Sequence, residues 1–165
     1  MRKPNTLSQD IVDLLLARLS DEFTAFYHYR SASNWCQGKG YTKAAEYFKK
    51  ESEDELKHAK GIEDFLTDWN VIVDLPTIQE PMVDFINIID IIEKSYDLEY
   101  NLYKAYNEIS TEIFTTGDLA TFDFVGKYRQ IQRVSVAEYS DKLNMLEDVE
   151  LDKINILLLE KRLFS

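Results

Sequence analysis

Midway along the chain, residues 69 to 81 interrupt two long helical patterns, and that interruption limits the folds available. Trp69-Asn70-Val71-Ile72-Val73-Asp74-Leu75-Pro76, followed by Pro81, reads as extended chain, because proline removes a helix donor and biases the residue before it away from the α region. So long a connection inside a compact domain is uncommon and calls for a purpose. The simplest is a crossover along the length of a bundle, laying one helical hairpin beside another. Before it, Thr6 or Ser8 can cap a helix over 7–36, in which Leu7, Ile11, Leu14, Leu15, Arg18, Leu19, Glu22, Phe26 and Tyr29 recur at three- and four-residue intervals. Gln37-Gly38-Lys39-Gly40 is a stop, and a second helix is expected over 42–68. After the crossover, Pro81 suits the first turn of a helix over 82–115. Thr116-Gly117-Asp118 breaks it, Asp118 or Thr121 can start another over 118–148, and a short apolar helix is expected over 151–163. The predicted fold is all-α: a four-helix bundle with one long crossover and a short fifth helix, a single domain over 1–165.

Glu55-Leu56-Lys57-His58 stands in the middle of the second helical pattern. Residues three apart on a helix leave the same face one turn apart. Glu55 and His58 can therefore bind one metal ion jointly, and two helices so equipped can close a di-metal site inside a bundle. The second hairpin carries a faint copy of the first: Glu22 and Glu55 are 33 positions apart, as are Glu99 and Gln132. A shift of 77 lays Glu22 on Glu99, Tyr29 on Tyr106, Glu55 on Gln132 and His58 on Ser135. Hairpins related by a pseudo-twofold axis bring these positions to the bundle centre. The second half is degraded, so two metals would occupy unequal sites. Glu22, His58 and a bridging Glu55 suit Fe(II) with open positions for dioxygen. Glu55, Glu99 and the neutral amide of Gln132 donate less charge and should let an oxidised ion leave. Taken singly, each carboxylate could be half of a core ion pair, His58 a satisfied core histidine, and Tyr29 and Tyr106 packing. Together, inward carboxylates without a counter-ion would each cost several kcal/mol. Lys57 and Lys104 point to other faces by periodicity, so metal is the better account.

From about Leu7 to Leu163 the chain resembles a ferritin of the non-haem, ferroxidase-bearing kind. The segment from Glu22 through Tyr29 to Trp35-Cys36 is similar to that family's first helix, Glu55-Leu56-Lys57-His58 to its second-helix motif, and Val73-Asp74-Leu75-Pro76-Thr77-Ile78 to its crossover. Glu99 falls on the third-helix ligand, and Gln132 with Asp141 fits the fourth. The resemblance implies a ferroxidase centre of Glu22, Glu55, His58, Glu99 and Gln132 holding two iron ions, with Tyr29 as its hydrogen-bonding or redox-active neighbour. It implies Fe(II) and dioxygen or hydrogen peroxide as reactants, and a homo-oligomeric shell of 24 subunits in which Fe(III) is stored as mineral. Bacterioferritins and rubrerythrins use a second Glu-x-x-His where this chain has Ser135. Bacterioferritin also takes its haem ligand from a Met after the second-helix Glu; Leu56 stands there, so no haem is expected. Two departures bear on storage. Lys57 and Lys60 occupy positions where carboxylates would face the cavity, and the acidic pair of the threefold channel falls on Phe122 and Val125, with Asp118 and Asp123 as substitutes. A ferritin-like di-metal oxidase that retains its metals and stores nothing is therefore the alternative, and an inert partner-binding bundle the third reading.

Charge and composition exclude other classes. A formal net charge of -11 with no basic run argues against nucleic acid, since phosphate binding needs cations that release counterions. Cys36 is the only cysteine, so no intrachain disulfide is expected and a reducing cytosol is the default. The N-terminus enters an amphipathic pattern with no signal-like apolar core, and no apolar run approaches the ~18 residues a membrane span needs. A cytoplasmic location is expected.

Overall fold

The computed structural model describes residues 7–147, 149 and 152–165, and within them five helices and no strand: α1 (Gln9–Gly38), α2 (Thr42–Asp68), α3 (Ile88–Thr116), α4 (Leu119–Asn144) and α5 (Lys153–Leu163). α1 packs along α2 and α3 along α4, the two hairpins meet through α1 and α3, and α5 lies on α2. This is the all-α bundle with a long crossover expected from the sequence.

The start signals are resolved atom by atom. The Ser8 hydroxyl accepts the amide of Ile11 at the head of α1, while Thr6, the other candidate, lies outside the described residues. At α4 both candidates take part: Asp118 accepts the backbone amide of Thr121 at 3.0 Å and its hydroxyl at 2.6 Å. Gly117 turns the α3–α4 corner at φ 78° and Gly40 the α1–α2 corner at φ 82°, where a side chain would be strained.

Two boundaries differ from expectation. α3 begins at Ile88, not residue 82, because a reciprocal cap is set later. The Asn87 side chain accepts the Asp90 amide at 2.9 Å, and Asp90 accepts the Ile86 amide at 3.0 Å. Pro81 is left in the crossover, which is therefore longer than 69–81; the Ser31 hydroxyl ties it to α1 by donating to the Met82 carbonyl at 2.5 Å. α4 ends at Asn144 instead of 148, a residue outside those described, as is 151, the expected start of the last helix.

One cap is supplied from far along the chain. Tyr41, at the head of α2, offers no side-chain cap. Glu160 of α5, buried, accepts the amides of Lys43 at 2.6 Å and Ala44 at 3.0 Å. A carboxylate on a helix N-terminus meets both the orphan donors and the positive end of the dipole.

The core divides into two apolar clusters. One holds Leu15, Leu19, Ile62, Leu66, Ile109 and Ile113; the other holds Phe48, Ile91, Ile92 and Tyr139. On α2, α3 and α4 the stretch between the clusters carries a fully or nearly buried polar residue: Glu55, Glu99 and Gln132. Glu22 is the buried polar residue of α1 nearest that layer. The bundle has a polar waist.

Candidate metal centre

Each residue of the waist arrives from a different helix face for the reason its spacing gives. On α2, Glu55 and His58 lie one turn apart, with Nδ1 of His58 3.0 Å from Oε2 of Glu55 and 3.6 Å from Oε2 of Glu22 on α1. Ligand atoms of Glu22, Glu55 and His58 all lie within 4.8 Å of one another. From α3, Glu99 accepts a hydrogen bond from the hydroxyl of Tyr29 on α1. In reverse, Tyr106 on α3 donates to Glu22 on α1. The two tyrosine–carboxylate pairs are the hidden repeat made physical, since Tyr29 and Tyr106, and Glu22 and Glu99, were the positions it superposed. His28, the other histidine, is engaged with Ser95 at 2.9 Å.

The electrostatics are those of carboxylates short of cations. Among the described residues no Lys or Arg pairs with Glu22, Glu55 or Glu99; Lys57 and Lys60 are exposed and bound to Asp54 and Asp64. Burial pushes the Glu55 carboxyl well up, the His58 hydrogen bond pulls it back, and the charges of Glu22 and Glu99 add to the rise. Burial likewise lifts Glu99 to about 8 against the pull of the Tyr29 hydroxyl, with Glu22 reinforcing the rise. His58 shows the complement: burial would lower its pKa, but the adjacent carboxylates of Glu22 and Glu55 hold it up at about 10.

Oε2 of Glu22, Oε2 of Glu99 and both amide atoms of Gln132 are buried without a hydrogen-bond partner. A buried polar group left so costs about 1–3 kcal/mol, more if charged, and native chains rarely tolerate several together. The carboxylate oxygens of Glu22 and Glu55 and the imidazole of His58, brought together from two helices, suit a divalent transition metal. Glu22, Glu55 and His58 form a first trio; Glu99 and Gln132 lie outside it, on α3 and α4. A surface groove of about 430 Å³, lined in part by Glu51, Asp54, Glu55, His58, Ser135 and Glu138, reaches the trio.

Several residues around the centre were not assigned to it from sequence. Glu51 precedes Glu55 by one turn, a signal that was available. Burial and the nearby Glu138 push it up to about 7, with the Tyr139 hydroxyl acting against them. Tyr128 donates to the carbonyl of His58 at 2.8 Å, where Gly61 makes room: a Cβ there would meet the Tyr128 hydroxyl at 2.5 Å. The channel positions are also accounted for. Val125 is buried, Phe122 lies under the Arg129 guanidinium, and Asp118 is committed to capping α4.

A family described as the ferritin-like domain matches residues 12–149. The chain is 27% identical over 143 residues to a bacterial non-heme ferritin of Campylobacter jejuni, covering 85% of this chain and 86% of that protein. It is 25% identical over 160 residues to a probable bacterial non-heme ferritin-like protein of Haemophilus influenzae, with 95% of each covered. Among solved structures, an open-pore ferritin from the archaeon Archaeoglobus fulgidus superposes with a TM-score of 0.89 at 25% identity, covering 95% of this chain and 96% of that one.

Proposed function

The chain belongs to the ferritin family through its ferritin-like domain, and from that premise we propose that it is an iron-storage ferritin. It oxidises Fe(II) to Fe(III) at an intrasubunit di-iron ferroxidase centre and deposits the product as mineral inside an oligomeric shell. The observation that carries this reading is the cluster of buried carboxylates around His58 with no Lys or Arg partner among the described residues, and the orphaned atoms on Glu22, Glu99 and Gln132.

Iron is the substrate, and the residues divide its handling. Glu22 and His58 take one Fe(II), Glu55 bridges, and Glu99 with the Gln132 amide takes the other. The carboxylates of Glu22 and Glu55 favour the protonated form of His58, whereas a metal takes the neutral imidazole, so Fe(II) competes with a proton for this ligand. Tyr29 and Tyr106 orient the outer carboxylates, a neighbouring interaction that commonly sets metal affinity. Dioxygen or hydrogen peroxide accepts the electrons. The neutral amide of Gln132 leaves the second site with less charge, which favours departure of Fe(III) after oxidation. The likeness to an open-pore ferritin supports an oligomeric assembly, which we take to be a homo-oligomeric cage of 24 subunits in the cytoplasm. The exposed Ile72, Leu75, Met82, Val83 and Ile86 of the crossover offer the apolar surface such an assembly would cover. Leu56 supports a centre without haem.

One observation favours a second reading. Lys57 and Lys60 sit on the exposed face of α2 and neutralise Asp54 and Asp64, where a mineral-nucleating surface would carry free acid. A di-metal oxidase that keeps its metals would lack that need. Aerobic loading with Fe(II) well beyond the capacity of a di-metal site, followed by size separation and iron counting, separates the two. Storage keeps tens of iron atoms per chain soluble in a large assembly, and retention stops near two per chain, as a di-metal site must. Glu22→Ala should sharply slow oxidation in either case; normal oxidation by that variant would overturn the assigned centre.

A further inference from the structure

His58 is the one imidazole of the trio, and a tyrosine from α4 is fitted against both its ring and its backbone. Tyr128, buried, donates its hydroxyl to the His58 carbonyl at 2.8 Å, using the lone pair that a helical carbonyl leaves free. Its ring meets the His58 ring edge-on, with centroids 6.0 Å apart and planes 76° from parallel. The same ring stacks on Tyr106 at 5.2 Å, and the Tyr106 hydroxyl donates to Glu22. Glu22 from α1 and His58 from α2 therefore lean on one aromatic wall. Burial, helped by the charges of Glu22 and Asp64, pushes the ionisation of the Tyr128 hydroxyl up, so it remains a donor.

Gly61 is what lets the hydroxyl in. It lies inside α2, where glycine is a poorer helix former than alanine. A Cβ there would stand 2.5 Å from the Tyr128 oxygen and 3.8 Å from the ring carbon that bears it. The ring has no free space to retreat into, because Tyr106 lies on its face and Phe124 beside it at 5.3 Å. The internal repeat supplies a comparison. The shift of 77 that carries His58 to Ser135 carries Gly61 to Glu138 and Glu51 to Tyr128. Where the histidine is missing, the matching positions are therefore Glu138 and Glu51, which line the surface groove. The notch and its tyrosine occur only in the half that carries the imidazole.

We propose that Tyr128 and Gly61 are a positioning pair: the tyrosine hydroxyl, seated in the notch left by the missing Cβ, fixes α2 at the rotation that aims Nδ1 of His58 at Glu22. Neither residue is a ligand. The proposal goes beyond the ferroxidase reading and rests on it only in taking His58 as a metal ligand. A site binds well when its ligand atoms are held within about 0.5 Å of the productive geometry, and a histidine on a helix free to roll does not meet that demand. The hydroxyl stops the roll, and the ring closes one side of the imidazole.

Three variants separate positioning from fold stability. Tyr128→Phe removes the hydroxyl and keeps the ring. Gly61→Ala expels the hydroxyl and displaces the ring with it. Combining the two lets the ring return, because the clashing oxygen is gone. Co(II), whose visible absorption reports coordination geometry, is titrated into the iron-free full chain. Losing a partner that orients a ligand typically weakens metal affinity about 10–100-fold. Tyr128→Phe should fall near the lower figure, Gly61→Ala near the upper, and the double variant back at the Tyr128→Phe value. Thermal unfolding should part from affinity: the double variant melts higher than Tyr128→Phe, since alanine favours the helix, yet binds Co(II) no more tightly. Native affinity in Tyr128→Phe, or a Gly61→Ala loss that Tyr128→Phe does not rescue, overturns the proposal. If Gly61→Ala alone does not fold, Tyr128→Phe and the double variant still carry the test. A metal-free arm follows His58 directly, since the chain has two histidines and histidine-labelled NMR resolves both. One ring environment is expected in the native chain and several in Gly61→Ala; an unchanged single environment there overturns the positioning role. If the NMR shows that loss but the native chain binds no Co(II), the ferroxidase reading fails and the positioning of His58 stands.

Discussion

Tyr106 donates its hydroxyl proton to Oε1 of Glu22, which leaves Oε2 of the same carboxylate unpartnered and 3.6 Å from Nδ1 of His58. One oxygen is thus fixed and the other is aimed. Tyr106→Phe keeps the ring and its stack on Tyr128 while freeing the carboxylate to rotate. Loss of a hydrogen bond that orients a metal ligand typically weakens affinity about 10–100-fold, and that range is expected for binding at the Glu22–His58 site. Calorimetric titration with Zn(II), which does not turn over, measures it; unchanged affinity would assign Tyr106 to packing alone.

Such pairs explain what could be read from the sequence. The helices and the crossover were legible because three- and four-residue spacing and a proline-punctuated gap are local signals. The repeat placed Glu22, Glu55, Glu99 and Gln132 in one layer, because side chains at matching helical phase must reach the same depth. Contacts between residues far apart in the chain left no local signal. Glu160 capping α2 from 117 positions away and Tyr139 standing between Tyr29 and Tyr47 depend on how the hairpins settle. The start of α3 was misplaced because Pro81 is permitted in a first helical turn, whereas the Asn87–Asp90 cap is what places it.

Stability of the iron-free protein should fall as pH rises through the neutral range. Burial raises the Glu51 and Glu99 carboxyls to about 7 and about 8, so the folded chain holds protons that the unfolded chain releases near the ordinary carboxylate value. Where the folded state binds more protons, stability drops with pH. That loss runs from the unfolded carboxylate range up through about 8. His58 has the same sign: its stabilisation is complete below the unfolded histidine value and is lost as pH passes about 10. Tm by scanning calorimetry should therefore decline between about pH 5 and pH 8, and saturating Zn(II), which binds the deprotonated ligands, should flatten the slope. A Tm that rises with pH would contradict the burial of these groups.

Gln132 is the one amide ligand of the proposed centre. Its amide is fully buried with neither atom paired, so Gln132→Leu should stabilise the iron-free protein, by up to about 1–3 kcal/mol if the whole cost is relieved. Gln132→Glu should tighten the second metal site and slow the exit of Fe(III). Urea unfolding of the iron-free variants checks the first expectation, and the lag before a second round of Fe(II) oxidation checks the other.

Glu160 holds α5 to the bundle by accepting the Lys43 and Ala44 amides at the head of α2. Because Tyr41 supplies no cap of its own, Glu160→Ala leaves both donors without their carboxylate and removes the negative charge from the positive end of the helix dipole. Helix-capping losses cost about 0.5–2 kcal/mol, and that is the expected drop in stability. The damage should be local. Amide hydrogen exchange at Lys43 and Ala44 should accelerate and proteolysis within α5 should increase, while metal affinity at Glu22, Glu55 and His58 stays put, because α5 contributes nothing to the waist. Glu160→Gln keeps an acceptor oxygen but loses the charge, so its effect should fall between the two. If Glu160→Gln matched Glu160→Ala, the charge rather than the hydrogen bonds would be what fastens α5.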